Sequence, residues 1–257
     1  MRYSYAQHVM VKYSTEQLLN TAEAARFLRV SQASIRRWSD SGLLAVRRIG
    51  RRRERRFSES DLEAFMRRPP SGAAGATVVP IGGEPVAVPG HLATLYGSDA
   101  GGLRLTVPFF VEGLKAGQPC YVAASGAELK RYTDALDGRE ELDMARAVDT
   151  RQFNVVRFEG GGTAAEAIAQ WERQFADILA KGRTVIRIVG EMASERAMFV
   201  SEEEMLRYEE AFEVMCRRYP VVVICQYDVR EFDGPSLLRA LKAHPDLYAF
   251  RLGTFLN

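Results

Sequence analysis

The chain has 257 residues, enough for one large domain or two smaller ones. Its composition, 47% apolar and 26% charged, is that of a globular protein, and no apolar run reaches the roughly 18 residues that a transmembrane helix needs. The net charge of +2 hides two opposed parts: residues 1–68 carry 15 Lys and Arg against 7 Asp and Glu, and residues 69–257 carry 20 against 26, so a polyanion is attracted by the first part and repelled by the second.

The first residues, MRYSYAQHVMVKYSTEQLL, lack the apolar core of a signal peptide, and a cytoplasmic location is expected. Cys120, Cys216 and Cys225 are sparse and show no CxxC spacing. That fits a reducing compartment and gives no disulfide or zinc framework, so neither a metal nor a cofactor is expected.

In chain order, a first helix is expected over about Thr21–Arg29, with Asn20 or Thr21 as its cap and Ala25 and Leu28 facing inward. Val30-Ser31-Gln32 makes a turn. A second helix follows over about Gln32–Ser39, with Ile35 and Trp38 on its buried face and Ser34, Arg36 and Arg37 pointing outward. Gly42 can take a positive φ after it, and Leu43 and Leu44 return to the core. Two short strands, near Ala45–Arg48 and Arg53–Phe57, flank a tip at Ile49–Arg52. Ser58 then caps a third helix with Asp61 as its capping-box partner. This is a small, mainly-α winged helix–turn–helix. Nine Arg between positions 36 and 56 face two acids and cannot be neutralised locally, so double-stranded DNA is the expected partner.

Residues 67–90 are rich in Pro, Gly and Ala without helical period and read as a linker over 69–89, with room for a short strand in TVVPI. Beyond it, strands are expected at His91–Tyr96, Cys120–Ala124, Val155–Phe158, Val185–Val189, Val221–Gln226 and Phe250–Phe255. Helices are expected at Gly102–Ala116, Ala127–Leu136, Ala164–Lys181, Glu202–Arg218 and Pro235–Ala243. Continuous apolar strands separated by long helices give a three-layer α/β domain with a mostly parallel sheet over residues 90–257.

Two resemblances follow from these residues. The stretch from Leu18 to Arg68 resembles the MerR-type winged helix–turn–helix in its short, excisionase-like form, on Ala24-Ala25, Val30-Ser31, Ile35-Arg36-Arg37-Trp38, Ser41-Gly42-Leu43-Leu44, Arg55-Arg56-Phe57 and Asp61-Leu62. The resemblance implies that the second helix enters the major groove and the wing grips phosphates. Ser34, Arg36 and Arg37 then become groove or phosphate contacts, and Arg48, Arg51, Arg52, Arg53 and Arg55 wing contacts. Longer MerR regulators continue into a dimerisation helix; here Pro69-Pro70 follows, so a homodimer would form through the C-terminal domain.

The second half resembles the MEDS sensory domain of methanogen and methylotroph regulators. The carrying segments are His91–Tyr96, Pro108–Leu114, Gly190-Glu191-Met192, Cys225-Gln226-Tyr227-Asp228, Phe232-Asp233-Gly234 and His244-Pro245. This implies a ligand-sensing domain with a core like the RecA or circadian-clock ATPases, in a few regulators tied to small organic or hydrocarbon-derived compounds.

Within that domain, ligands of an open α/β sheet bind beyond the carboxyl ends of the strands. Tyr96, Glu191, Met192, Gln226, Tyr227 and Asp228 stand there and are the candidate ligand-binding residues. Glu191 and Asp228 suit an acid–base pair, a metal site or ligand hydrogen bonds; no third catalytic element accompanies them, which favours ligand contact or capping over an enzyme. Gly97-Ser98-Asp99-Ala100-Gly101-Gly102 has the glycine spacing of a P-loop but continues with Leu103 and Arg104 instead of Lys and Ser or Thr. Gly160-Gly161-Gly162-Thr163 reads as a flexible connection. His91 and His244 are expected to satisfy local backbone, and Cys120 and Cys225 to pack inertly. The leading reading is a ligand-responsive DNA-binding transcriptional regulator. The alternatives are a signalling module that binds a nucleotide or cyclic nucleotide through a degenerate P-loop, and an architectural or recombination-accessory protein.

Overall fold

A computed structural model describes residues 18–28, 30, 32–40, 44–67, 77–156, 161–180, 182 and 185–244; the side chains of Ala33, Ser34, Arg37 and Arg67 are outside that set. The N-terminal part runs β1 (Leu18–Leu19), α1 (Thr21–Phe27), α2 (Gln32–Asp40), β2 (Arg47–Ile49), β3 (Glu54–Ser58) and α3 (Glu59–Arg67). Asn20 starts α1 through a capping box: its side chain accepts from the Ala22 and Glu23 amides, and Glu23 accepts from the Asn20 amide. Ser58 Oγ accepts from the Asp61 amide at 3.1 Å and opens α3 as expected. The three strands pair antiparallel in the order β1-β3-β2. Ala24, Leu28, Ile35, Trp38, Leu44, Phe57, Leu62 and Phe65 close the core, with the Trp38 and Phe65 rings 5.0 Å apart. Burying each of the larger ones contributes about 1.5–3 kcal/mol.

The segment expected as a linker is structured over its second half. β4 (Val78–Ile81) and β5 (Glu84–Ala87) form a hairpin that buries Val79, Ile81 and Val86. The reason is period-two alternation: Val79, Ile81 and Val86 share one face, and Gly82 and Gly83 supply the positive φ of a two-residue turn.

The larger part continues with β6 (Gly90–Tyr96), α4 (Asp99–Lys115), β7 (Cys120–Ala123), α5 (Gly126–Asp137), α6 (Met144–Asp149), β8 (Phe153–Val156), α7 (Ala164–Ala180), β9 (Ile186–Glu191), α8 (Met192–Arg196), α9 (Glu202–Cys216), β10 (Val221–Asp228) and α10 (Gly234–Ala243). The five strands β6-β10-β9-β7-β8 are all parallel. α4 and α5 cover one face; α7, α9 and α10 cover the other. β10 is buried along its whole length, as a strand covered on both sides must be. Trp171, Phe175 and Phe212 fill one layer, and Phe109, Phe110 and Tyr132 the other. β8 begins at Phe153, two residues earlier than expected, after a turn in which Arg151 takes a positive φ of 54°. The short helices α6 and α8 are additional to the expected set. The strand expected at Phe250–Phe255 lies outside the described residues.

Candidate functional site

The surface expected to face DNA is built on α2 and the β2–β3 hairpin. Arg36 is exposed on α2, its guanidinium 3.3 Å from Gln32 Oε1. Ser34 and Arg37 lie outside the described side chains. At the hairpin tip Gly50 and Arg53 both take positive φ, which folds the turn tightly and leaves Arg51, Arg52 and Arg53 exposed. Their side chains make no hydrogen bond or ion pair with the described residues. Arg48 and Arg55 differ from that expectation. Both reach Asp40 at the end of α2, at 2.7 Å each, and Arg55 engages both carboxylate oxygens. The Arg55 hydrogen bond, joined by Arg48 and opposed by partial desolvation, holds the Asp40 carboxyl below its usual range. Two of the five expected wing contacts therefore fasten the wing to the second helix, which sets the angle between the two DNA-facing elements.

The second candidate site is a cleft of about 590 Å³ at the carboxyl edge of the sheet, walled by Tyr96, Glu128, Arg131, Ser194, Asp228 and Arg230 among others. It opens where β7 connects outward to β8 and β9 connects the other way to β10, the reversal at which open α/β sheets bind ligands. Side-chain alternation decides which expected residues reach it. Tyr96, Glu191, Gln226 and Asp228 occupy matched register positions on the α4/α5 face. Tyr96 Oη donates to Glu191 Oε1 at 2.8 Å, Tyr132 Oη donates to Glu191 Oε2 at 3.3 Å and to Gln226 Oε1, and Gln226 Nε2 donates to the Gly102 carbonyl at 2.8 Å. Burial pushes the Glu191 carboxyl up to about 7, against the pull of Tyr96, Arg131 and Tyr132. At the mouth, Asp228, Arg230, Asp99 and Arg131 form one chain of ion pairs at 2.6–2.9 Å. Tyr227 points through the opposite face to Glu209, and Met192 is fully buried at the start of α8. Of the six expected ligand residues, Tyr96 and Asp228 line the cleft; Glu191, Met192, Gln226 and Tyr227 do not. Arg131, on α5, lines it and Tyr132, the next residue, reaches Glu191 and Gln226 from the interior; neither was anticipated, because they stand mid-helix, where periodicity marks only a buried face and a solvated one.

Among the described residues, the glycine-rich loops give no phosphate cradle. After Gly97, Ser98 already caps α4, its Oγ accepting from the Gly101 amide at 3.2 Å, so Gly101 and Gly102 belong to the helix. Gly102 is small because the Tyr96 ring lies against it, 3.2 Å from where a Cβ would stand. The Asp99 carboxylate occupies the first turn, where a phosphate would need to sit. Gly161, with φ of 78°, turns the chain into the Thr163–Glu166 cap of α7.

Residues 90–245 match the family described as MEDS, the methanogen/methylotroph, DcmR sensory domain, and residues 18–69 match a helix-turn-helix domain. The chain belongs to the MEDS family. It is 36% identical over 255 residues to the transcriptional repressor DcmR of Methylorubrum extorquens, covering 94% of this chain and 95% of that protein. Among solved structures, the flagellar accessory protein FlaH of Methanocaldococcus jannaschii is similar with a TM-score of 0.43 and 10% identity, over 65% of this chain and 70% of that one, too distant a likeness to carry weight. The chain is thus a DNA-binding transcriptional regulator in which a sensory MEDS domain follows a helix–turn–helix head. No helix among the described residues is long and apolar enough to cross a membrane.

The head packs against the MEDS domain. The Arg218 guanidinium lies 3.2 Å from the centre of the Phe65 ring on α3. Beside this contact a second cleft, about 750 Å³, is shared: Ala22, Ala25, Arg26, Val30 and Gln32 line it from the head, and Ile168, Glu204, Arg207, Glu210 and Arg239 line it from α7, α9 and α10 of the MEDS domain. Sequence reasoning has no signal for this cleft, since each wall reads alone as an ordinary solvated helix face.

Proposed function

We propose that this regulator is a homodimeric repressor whose MerR-type head releases its operator when a small organic molecule enters the sheet-edge cleft. One observation carries the reading: the head shares a cleft with α7, α9 and α10, the helices that cover the same sheet from behind, and Phe65 of the head meets Arg218 just after α9. A ligand that shifts β9 or β10 at the cleft therefore moves the surface on which the head rests. Coupling requires only that the ligand bind the two head positions with different affinity. Tyr96 and Asp228 line the cleft, Glu191 and Gln226 are buried behind Tyr96 and Tyr132, and Arg131 and Arg230 supply charge at the rim; Met192 and Tyr227 act in packing. Repression, rather than activation, is proposed from the likeness to DcmR, and dimerisation through the MEDS domain from Pro69-Pro70, which stands where longer MerR regulators continue into a dimerisation helix. The protein works in the cytoplasm and does not catalyse a reaction on this reading, because Leu103 and Arg104 replace the phosphate-loop Lys and hydroxyl in a core proposed as RecA-like, and the cleft pairs its acids with arginines instead of a nucleophile.

Selection of duplexes from a random-sequence pool by the purified full chain tests the regulator. The expected product is an inverted repeat with half-sites spaced by whole helical turns, and light scattering should give a dimer. Enrichment of single half-sites by a monomer would remove the dimeric reading. Enrichment no stronger than that of a variant lacking the wing arginines would remove specific DNA recognition.

A further inference from the structure

On the face of the sheet opposite the ligand cleft, four metal-ligating side chains from four elements meet in the interior: His91 on β6, Glu209 on α9, Cys225 on β10 and His244 at the end of α10. Three of them have no exposed surface and Cys225 is 4% exposed. Their four donor atoms all lie within 4.8 Å of one another. We propose that these residues hold a divalent ion of the zinc class in a closed tetrahedral site.

The hydrogen bonds around the two imidazoles carry the argument. His91 Nδ1 is 3.1 Å from a Glu213 carboxylate oxygen, and His244 Nδ1 is 2.7 Å from the Ala240 carbonyl oxygen. A carboxylate and a carbonyl only accept, so both Nδ1 atoms carry the proton and both Nε2 atoms present a lone pair. This is the second-shell arrangement that orients metal-binding histidines. Both lone pairs turn into the same space. His91 Nε2 is 3.3 Å from Cys225 Sγ and 3.8 Å from Glu209 Oε2; His244 Nε2 is 3.1 Å from that same oxygen, in a geometry that makes no hydrogen bond. Zinc bonds of about 2.0–2.3 Å in a tetrahedron set donor–donor edges of about 3.3–3.6 Å, and the observed separations bracket that range.

Filling this space with protons alone leaves polar atoms unsatisfied. Glu209 Oε1 has no hydrogen-bond partner among the described residues, and neither has His244 Nε2. A hydrogen bond between Cys225 Sγ and His91 Nε2 satisfies only two of the four donors. A divalent ion satisfies all four and neutralises the carboxylate and thiolate together. Tyr227 Oη donates to Glu209 Oε2 at 3.1 Å and fixes the carboxylate from outside the ligand set. With four protein donors, all of them buried, the site has the closed form of a structural metal rather than a catalytic one. The ion would pin α9 and α10 to the sheet, and these helices supply Glu204, Arg207, Glu210 and Arg239 to the cleft under the head.

The test uses the full chain, expressed with zinc or with cobalt in the medium and purified without chelators. Elemental analysis should find about one equivalent per chain, and the cobalt protein should show a thiolate-to-cobalt charge-transfer band with the intense visible bands of tetrahedral coordination. Cys225→Ser should abolish the charge-transfer band, His244→Gln should lower the metal content more than about tenfold, and Cys120→Ala should change neither. Far-ultraviolet circular dichroism on each variant separates lost ligation from lost fold; should His244→Gln unfold, the band and its loss in Cys225→Ser decide the matter. Metal below about a tenth of an equivalent in both preparations overturns the proposal, as does cobalt whose thiolate band is missing or survives Cys225→Ser.

Discussion

The wing offers a quantitative test. Of the arginines expected to touch DNA there, Arg48 and Arg55 are held by Asp40, whereas the side chains of Arg51, Arg52 and Arg53 at the tip have no partner among the described residues. Each phosphate contact contributes about −0.9 to the slope of log association constant against log salt on duplex DNA. With all three tip residues on phosphate, Arg51→Ala/Arg52→Ala/Arg53→Ala makes the slope shallower by about 2.7 for each bound head. At about 0.15 M salt each lost contact costs about fivefold in affinity, so the triple variant should bind about 10²-fold more weakly. Arg55→Ala removes a residue already engaged, and its slope should change by less than about 1. Fluorescence anisotropy on a mixed-sequence duplex across a salt series measures both, since phosphate contact does not need the operator. A triple variant with the parent's slope would refute the assignment of the tip to the backbone; a larger slope change in Arg55→Ala than in the triple variant would refute the role given to Asp40.

Three further outcomes are expected. Burial raises the Glu191 carboxyl from 4.5 to about 7, so the folded state binds more protons than the unfolded state between those values and stability falls as pH rises through that window. Relative to the parent, Glu191→Gln should therefore gain about 2–3 kcal/mol between about pH 5 and pH 8 in urea unfolding, and a pH-independent difference would sink the assignment. A Cβ on Gly113 would stand 2.5 Å from Arg187 Cδ and 2.8 Å from Cys120 Sγ, so Gly113→Ala should cost about 1–3 kcal/mol and lower the Tm; an unchanged Tm would mean that the buried arginine moves freely. Arg218→Ala removes the cation that caps Phe65 and should loosen the head, read as faster proteolysis between residues 67 and 77 with the MEDS domain's own melting unaltered; an unaltered cleavage rate would show that the shared cleft alone holds the head.

Much of the architecture is written locally. Asn20 with Glu23, Ser58 with Asp61, and the apolar spacing of Ile35 and Trp38 define helix starts and faces within a few residues, and the split in charge at position 68 separates a DNA-facing part from an acidic one. The apolar strands and the helices between them likewise announce a covered parallel sheet. What local pattern cannot carry is which strand lies beside which. The order β6-β10-β9-β7-β8 and its register place Tyr96, Glu191 and Gln226 together on one face and turn Tyr227, between two of these neighbours in sequence, to the other. The same register brings His91 and Cys225, 134 positions apart, to 3.3 Å. Asp40 changes Arg48 and Arg55 from free cations into a brace only once the hairpin folds back on α2. Capping and periodicity act over one or two turns of chain and are legible in one dimension; pairing across a sheet is settled by the packing of the whole, and the binding cleft, the buried ligand cluster and the seat of the head all come from that.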